Sequence, residues 1–165
     1  MEILKIDDEE NDLYCYDVAA KTALENFGIK YMFPWQRLVV ANLLEAYEIQ
    51  KSGADINQET DSFCKGRQIV LLPTGAGKSV MFQIPAVYAA KKYGSLTIVI
   101  SPLVELMNDQ VENLVKRGYY RAARLNSDVN PFDKTEILKK INDGEIDILY
   151  LSPEVLLSYS IDTII

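Results

Sequence analysis

The stretch "RQIVLLPTGAGKSVMFQIPAVYAAKKYG", Arg67 to Gly94, decides how the chain is read. Arg67–Leu72 is a short apolar run that reads as a buried strand, a glycine-containing turn follows, and from Lys78 the pattern reads as a helix. Strand, glycine loop and helix in that order make an anion site. Gly75 and Gly77 permit backbone angles and a close approach that side chains would block, so successive N–H groups can face phosphate oxygens. The N-terminus of the following helix adds its dipole at the same place. Within "TGAGKS", Lys78 is expected to reach the terminal phosphates and Ser79 to bind magnesium. The strict pattern G-x4-G-K-[ST] is not met, because Leu72 stands where its first glycine would be. The alternative is a glycine turn between strand and helix with an incidental Lys-Ser. Pro85 is expected to bend or shorten that helix.

Downstream the alternation continues: "LTIVI" (96–100) is a strand, "PLVELMNDQVENLVKRG" (102–118) a helix, "AARLN" (122–126) a strand, "PFDKTEILKKIN" (131–142) a helix and "IDILYL" (146–151) a strand. Leu103, Leu106, Met107, Val111 and Leu114 form the apolar stripe of the first of these helices. Strand-helix alternation predicts an α/β fold, a mostly parallel sheet with helices on both faces. Upstream, Leu13, Tyr16, Ala20, Leu24 and Phe27 recur at helical spacing, with Gly28 placed as a C-terminal stop. Pro34 can open a second helix carrying Val40, Leu43, Leu44 and Tyr47 on one face. Residues 52–66 are polar and aperiodic and read as a long loop. "TIVISPL" and "DILYLSPE" each place Ser-Pro just after a strand. Ser101 and Ser152 are thereby either helix caps or members of a functional rim at the carboxyl ends of the strands.

At 165 residues and 48% hydrophobic, the chain fits one globular domain with a true core. No apolar run approaches the roughly 18 residues of a membrane helix, and "MEILKIDDEEND" is acidic where a signal peptide would be basic, so a soluble, cytoplasmic protein is expected. Cys15 and Cys64 lack metal-ligand spacing and read as reduced structural thiols. The absence of histidine excludes Ser-His-Asp catalysis, His-ligated zinc and imidazole acid-base chemistry. The net charge of −7 lies wholly in residues 1–66, which carry 6 Lys+Arg against 13 Asp+Glu, whereas residues 67–165 balance at 11 and 11. That neutral remainder can hold a local basic track, and Lys116, Arg117, Arg121 and Arg124 bunch together in it, as a binding cluster or as a solvated face.

Several stretches together resemble the superfamily 2 helicases, and among them the RecQ-like DNA helicases. "LLPTGAGKSVMFQIPA" looks like that family's motif I and "TIVISPLVELMNDQVENL" like its motif Ia region; "AARLNS" and "ILYLSPE" resemble the two stretches that follow. "FGIKYMFPWQ", Phe27 to Gln36, is similar to its motif 0, whose glutamine reads the adenine edge; here that residue is Gln36. An amide can match adenine's donor and acceptor together. Trp35 reads as a core aromatic, with stacking on a base as the alternative. The resemblance implies a RecA-like P-loop NTPase preceded by a helical segment. Its cofactors are ATP and Mg2+, held by Thr74, Gly75, Ala76, Gly77, Lys78 and Ser79. Lys78 is its catalytic candidate on the phosphates. Ser101, Pro102, Leu103, Asn126 and Ser152 are implied to lie along a DNA backbone, positioning single-stranded or duplex DNA without reading sequence.

Against the family's pattern, Phe33 replaces a usual basic residue, the connection from Gln36 to Lys78 is longer through 52–66, and Val155 follows Ser-Pro-Glu where a basic residue often sits. The resemblance divides the chain into residues 1–66, helices with the adenine motif and an acidic insertion, and residues 67–165, part of a first motor domain. It implies that the DEAH box, and a second RecA-like domain with an arginine finger, would follow Ile165. Without that acid and finger these residues are expected to bind ATP and hydrolyse it very slowly, while the full enzyme couples hydrolysis to 3′→5′ translocation and unwinding. Glu154, after a strand, fits a helix start better than the missing acid. Two other readings stay open: another superfamily 2 motor, acting on RNA or as a restriction-type translocase, and a non-catalytic ATP-binding regulatory module.

Overall fold

The computed structural model describes residues 17–53 and 67–158. Leu13, Tyr16, both cysteines and residues 54–66 of the expected loop lie outside them. Two compact units divide the chain, residues 1–85 and residues 86–165.

In the first unit, α1 (Val18–Phe27) packs on α2 (Pro34–Lys51). Asp17 starts α1 by accepting from Ala19 N at 2.9 Å and Ala20 N at 3.1 Å, and its other oxygen takes Arg37 Nε of α2 at 2.9 Å. One carboxylate therefore caps a helix and ties it to its neighbour. Gly28 ends α1 at φ 64°, and its N–H and that of Ile29 return to the Leu24 and Ala23 carbonyls. The buried side of α1 is Ala19, Ala20, Thr22, Ala23 and Phe27, while Leu24 of the expected stripe faces out. Small residues there leave a larger one no room between the two helices. Pro34 opens α2 as expected, and Val40 and Leu44 are buried along it.

Residues 67–73 are not the buried strand that their composition suggests. They are irregular, and Ile69 and Leu71 are 91% and 88% exposed. A strand needs a neighbour to satisfy its N–H and C=O groups, and among the described residues none pairs with this segment. α3 (Lys78–Tyr93) counts 16 residues with Pro85 inside it, so the proline does not shorten it.

The second unit holds a three-stranded, fully parallel sheet: β1 (Thr97–Ile100), β2 (Ala122–Leu125) and β3 (Ile148–Leu151), in the order β1-β3-β2. Ile100 and Leu125 both register with Leu151. All four residues of β3 are buried, as a central strand covered on both faces requires. One side of the sheet packs Leu125, Leu149, Leu151 and Val155 with Ile98, Ile137 and Ile141. Between the strands run α4 (Val104–Lys116) and α5 (Pro131–Asn142), both packed on β2, and α6 (Pro153–Ser158) follows β3. Met107 and Leu114, one heptad apart on α4, are buried, whereas Leu103 and Leu106 of the expected stripe are exposed. Asn130 caps α5 by accepting from Asp133 N at 2.9 Å. No helix among the described residues is long and apolar enough to cross a membrane.

A buried polar cluster at the start of β3, not foreseen from the sequence, ties the sheet together. Asp147, 6% exposed, accepts from Tyr119 Oη at 2.5 Å and from Arg121 Nε and Nη2 at 2.8 and 2.9 Å. Burial first, then the hydrogen bond to Asp147, push the Tyr119 phenol well above its ordinary range. Its own hydrogen bonds to Asp147 raise Arg121, already a permanent cation. The readable signal was an acid opening the apolar run "DILYL", since a carboxylate beside a fully buried strand needs donors.

Candidate nucleotide loop and strand-end residues

Thr74, Gly75 and Ala76 form the turn between Pro73 and α3, with Gly75 at φ 85° and Gly77 at φ 71°. Both values lie in the left-handed region that side chains disfavour. At Gly77 a Cβ would also fall inside the van der Waals surface of Gln36 Nε2. Lys78 and Ser79 follow in the first turn of α3, where backbone N–H groups have no intrahelical acceptor. A turn of left-handed glycines leading into free helical donors is the chemistry that a polyphosphate requires, and the residues present fit one. Lys78 is exposed, and its Nζ donates to Leu72 O at 3.0 Å. The position that lacks the expected glycine thus supplies the carbonyl on which the lysine rests.

Gln36 comes to the same loop from forty residues away. Its side chain is buried; Oε1 accepts from Phe33 N at 3.0 Å, and Nε2 donates to Ala76 O and Gly77 O, each at 3.3 Å. The amide so closes the N-terminus of α2 and braces the loop. Trp35 is not a core residue. It is 43% exposed and stacks on Phe33, 46% exposed, with ring centroids 4.6 Å apart and planes 6° from parallel. Tyr31 meets Phe33 edge-on at 5.5 Å. The helix-opening Pro34 holds Phe33 extended, at φ −62° and ψ 149°, which buries Met32 and turns its odd-numbered neighbours outward.

In the second unit, Ser101, Ser152 and Asn126 each stand one residue beyond a strand, and the sheet order sets them in one row with Ser152 in the middle. Ser101 N donates to Leu151 O at 2.9 Å and Ser152 N to Leu125 O at 3.2 Å, which carries the ladder one step past the strands. All three are buried, at 9%, 2% and 2% exposure, while Pro102 and Leu103 beside them are exposed. Neither serine caps a helix in the ordinary way. Ser101 Oγ takes only Leu103 N, at 3.4 Å, and the buried Ser152 Oγ has no partner. The proline after each serine moves the helix start or supplies no N–H at its first position. Asn126 Oδ1 holds the turn after β2 by accepting from Asp128 N and Val129 N at 3.2 and 3.1 Å. Glu154 sits in the first turn of α6, a helix start as expected.

The bunched basic residues do not form one track. Lys116 pairs with Glu112 at 3.5 Å, and Arg121 is committed to Asp147. Arg124 lines a groove of about 480 Å³ between α4, β2 and α5 that also carries Asp128, Asp133 and Glu136. Three carboxylates against one guanidinium make that groove unfavourable to a phosphodiester.

The sequence profile of the DEAD/DEAH box helicase family matches residues 38–163. The chain is 31% identical over 151 residues to the ATP-dependent helicase SGS1 of Saccharomyces cerevisiae, covering 91% of this chain and 10% of that protein. It is 44% identical over 90 residues to the ATP-dependent DNA helicase RecQ of Synechocystis sp., covering 54% and 18%. With the ATP-dependent DNA helicase Q4 of Mus musculus it shares 41% over 88 residues, covering 53% and 7%. The chain therefore spans less than a fifth of the length of these relatives. A parallel α/β sheet flanked by helices, a glycine-lysine-serine loop opening a helix, and a family profile across most of the chain agree: the chain belongs to the DEAD/DEAH box helicases, as a RecQ-like member.

Proposed function

We propose that this chain is the nucleotide-binding part of an ATP-dependent DNA helicase and that it binds Mg-ATP on the loop Thr74–Ser79. The observation that carries the reading is the loop itself, with Gly75 and Gly77 left-handed, the free donors of α3 behind them, and Gln36 reaching their carbonyls. Lys78, which rests on the Leu72 carbonyl, would hold the terminal phosphates, and Ser79 would offer its hydroxyl to magnesium. When bound, the metal neutralises charge on the phosphoryl groups. Gln36 serves as the adenine-side residue. To meet a base edge, its Nε2 must give up one of two long bonds, so base recognition and loop conformation are coupled through one side chain.

In the whole enzyme, Ser101, Pro102, Leu103, Asn126 and Ser152 would form the DNA-facing row. Their backbone groups and the exposed Pro102 and Leu103 suit contacts that position a strand without reading it. The names of the relatives support DNA as the substrate and ATP as the fuel, and the 3′→5′ direction is carried over from the family resemblance alone. The test is a calorimetric titration of Mg-ATP into the chain and into Lys78→Ala. We expect saturable binding that weakens at least tenfold in the variant. Equal affinity in both would remove Lys78 and the loop from the site.

A further inference from the structure

We infer that the groove between α4, β2 and α5 is a docking site for an extended segment of a partner protein that carries a basic side chain. The inference stands on the second unit alone and does not depend on the nucleotide reading. β2 is an outer strand: among the described residues it pairs with β3 and with no other strand. Ile148 N donates to Arg121 O and Ser152 N to Leu125 O, so the odd-numbered residues along β2 face β3. Ala122 and Arg124 therefore turn their backbone N–H and C=O groups to the free edge. Arg124 also lines the groove, which offers about 480 Å³. An unpaired strand edge beside open space is what an added strand pairs with.

Unmatched polar groups line the same groove. Asn126 is 2% exposed; its Oδ1 is spent on Asp128 N and Val129 N, and its Nδ2 has no acceptor among the described residues. Arg124 Nε and Asn108 Oδ1, on residues that line the groove too, are buried with no partner. Two donors and one acceptor left unmatched around one groove are costly until a ligand completes them, and a peptide group brings both a C=O and an N–H. Charge decides which peptide. Asp128 and Asp133 meet no cation among the described residues, because Arg124 forms no ion pair and Lys140 is engaged by Glu136 at 2.7 Å. No group of three or more acids among the described residues is compact enough to hold a metal ion. The complement is a cation on a long arm, arginine or lysine, which can reach separated carboxylates from an extended backbone.

The experiment records amide NMR spectra of the chain during titration with three probes. They are the capped peptide Val-Thr-Arg-Thr-Val, its citrulline analogue, which keeps the shape of the arginine and drops its charge, and single-stranded oligothymidylate. The side-chain N–H2 groups of Asn108 and Asn126 and the backbone amide of Arg124 are the reporters. We expect the arginine peptide to shift all three saturably and the citrulline peptide to bind roughly fivefold more weakly. Asp128→Asn and Asp133→Asn made together should abolish that difference, and Asp133→Asn keeps an oxygen for Asn130 Nδ2, so the thermal midpoint should hold. Equal affinity for the two peptides, or reporters that the arginine peptide leaves unmoved, would overturn the docking site. So would the same shifts produced by oligothymidylate, which would give the groove to the DNA-facing row. Should the double variant fail to fold, the citrulline comparison in the wild type decides alone.

Discussion

Replacing Asp147 by asparagine keeps the shape of the side chain and removes its charge, and the consequence can be worked out bond by bond. The carboxylate accepts three hydrogen bonds, one from Tyr119 and two from Arg121. Hydrogen bonds to a charged group contribute about 1.5–3 kcal/mol each when enclosed. The Arg121 side chain is 49% exposed, so solvent screens its share to about 1 kcal/mol or less. Tyr119 is buried, and its bond keeps its worth, about 1.5 kcal/mol. If asparagine keeps its oxygen on Tyr119 and Arg121 Nε, its N–H2 faces Arg121 Nη2, which cannot accept. We expect Asp147→Asn to destabilise the protein by about 2–3 kcal/mol, read from urea unfolding followed by far-ultraviolet ellipticity. Because Tyr119 and Asp147 share a bond, the double variant with Tyr119→Phe should cost less than the sum of the single ones by at least about 0.5 kcal/mol. A loss under about 0.5 kcal/mol for Asp147→Asn, or strict additivity, would refute the view that this cluster holds the sheet.

The same tyrosine sets an alkaline limit. Its folded pKa is raised from the ordinary 10.0, so its contribution is complete below about pH 10 and is lost as pH climbs beyond; a stability profile across pH 8–11 should fall at its upper end in the wild type and stay flatter in Tyr119→Phe. Gly77→Ala forces a left-handed alanine and pushes its methyl into Gln36, so we expect a loss of about 1–2 kcal/mol in urea unfolding together with weakened Mg-ATP binding in calorimetry. Asn130→Ala removes the cap of α5 and should cost about 1 kcal/mol, with hydrogen exchange accelerating first at Asp133 and Lys134. Asp17→Ala loses a cap and the tie to Arg37 at once, and should cost more than Asn130→Ala in the same assay.

Much of the architecture was legible because local rules and packing agree there. Gly28 stops α1 at a left-handed angle, Pro34 opens α2, and "LTIVI", "AARLN" and "IDILYL" become the three strands, all parallel. The misreadings share one physical origin: apolar content states what a residue prefers and not whether a partner is there. "RQIVLL" has the composition of a buried strand and no ladder neighbour among the described residues. Trp35 was read as core and lies outside because Pro34 sets the alternation of its segment. Leu24 and Leu106 fit a helical stripe, yet a stripe is wider than the contact it makes. At the candidate nucleotide loop the left-handed glycines and the helix start at Lys78 were readable from spacing, and Gln36 was singled out by its resemblance to motif 0. The Lys78–Leu72 bond, the aromatic stack and the Asp147 cluster depend on what tertiary folding brings near, which no spacing encodes.

The order β1-β3-β2 also says something about how the sheet comes into being. Among the described residues, β1 and β2 do not pair with each other; each pairs with β3, the last of the three to be synthesised. On a ribosome, β1 and β2 emerge before β3, their ladder partner among the described residues, and wait for it until residue 151 has cleared the exit, an interval on the order of seconds after Leu125 at ordinary elongation rates. Met107, Leu114 and Leu125 must spend that interval in water or in the care of a chaperone. The arrival of "IDILYL" then completes both ladders together, which makes this six-residue stretch the point at which the nascent chain passes from a liability to a sheet.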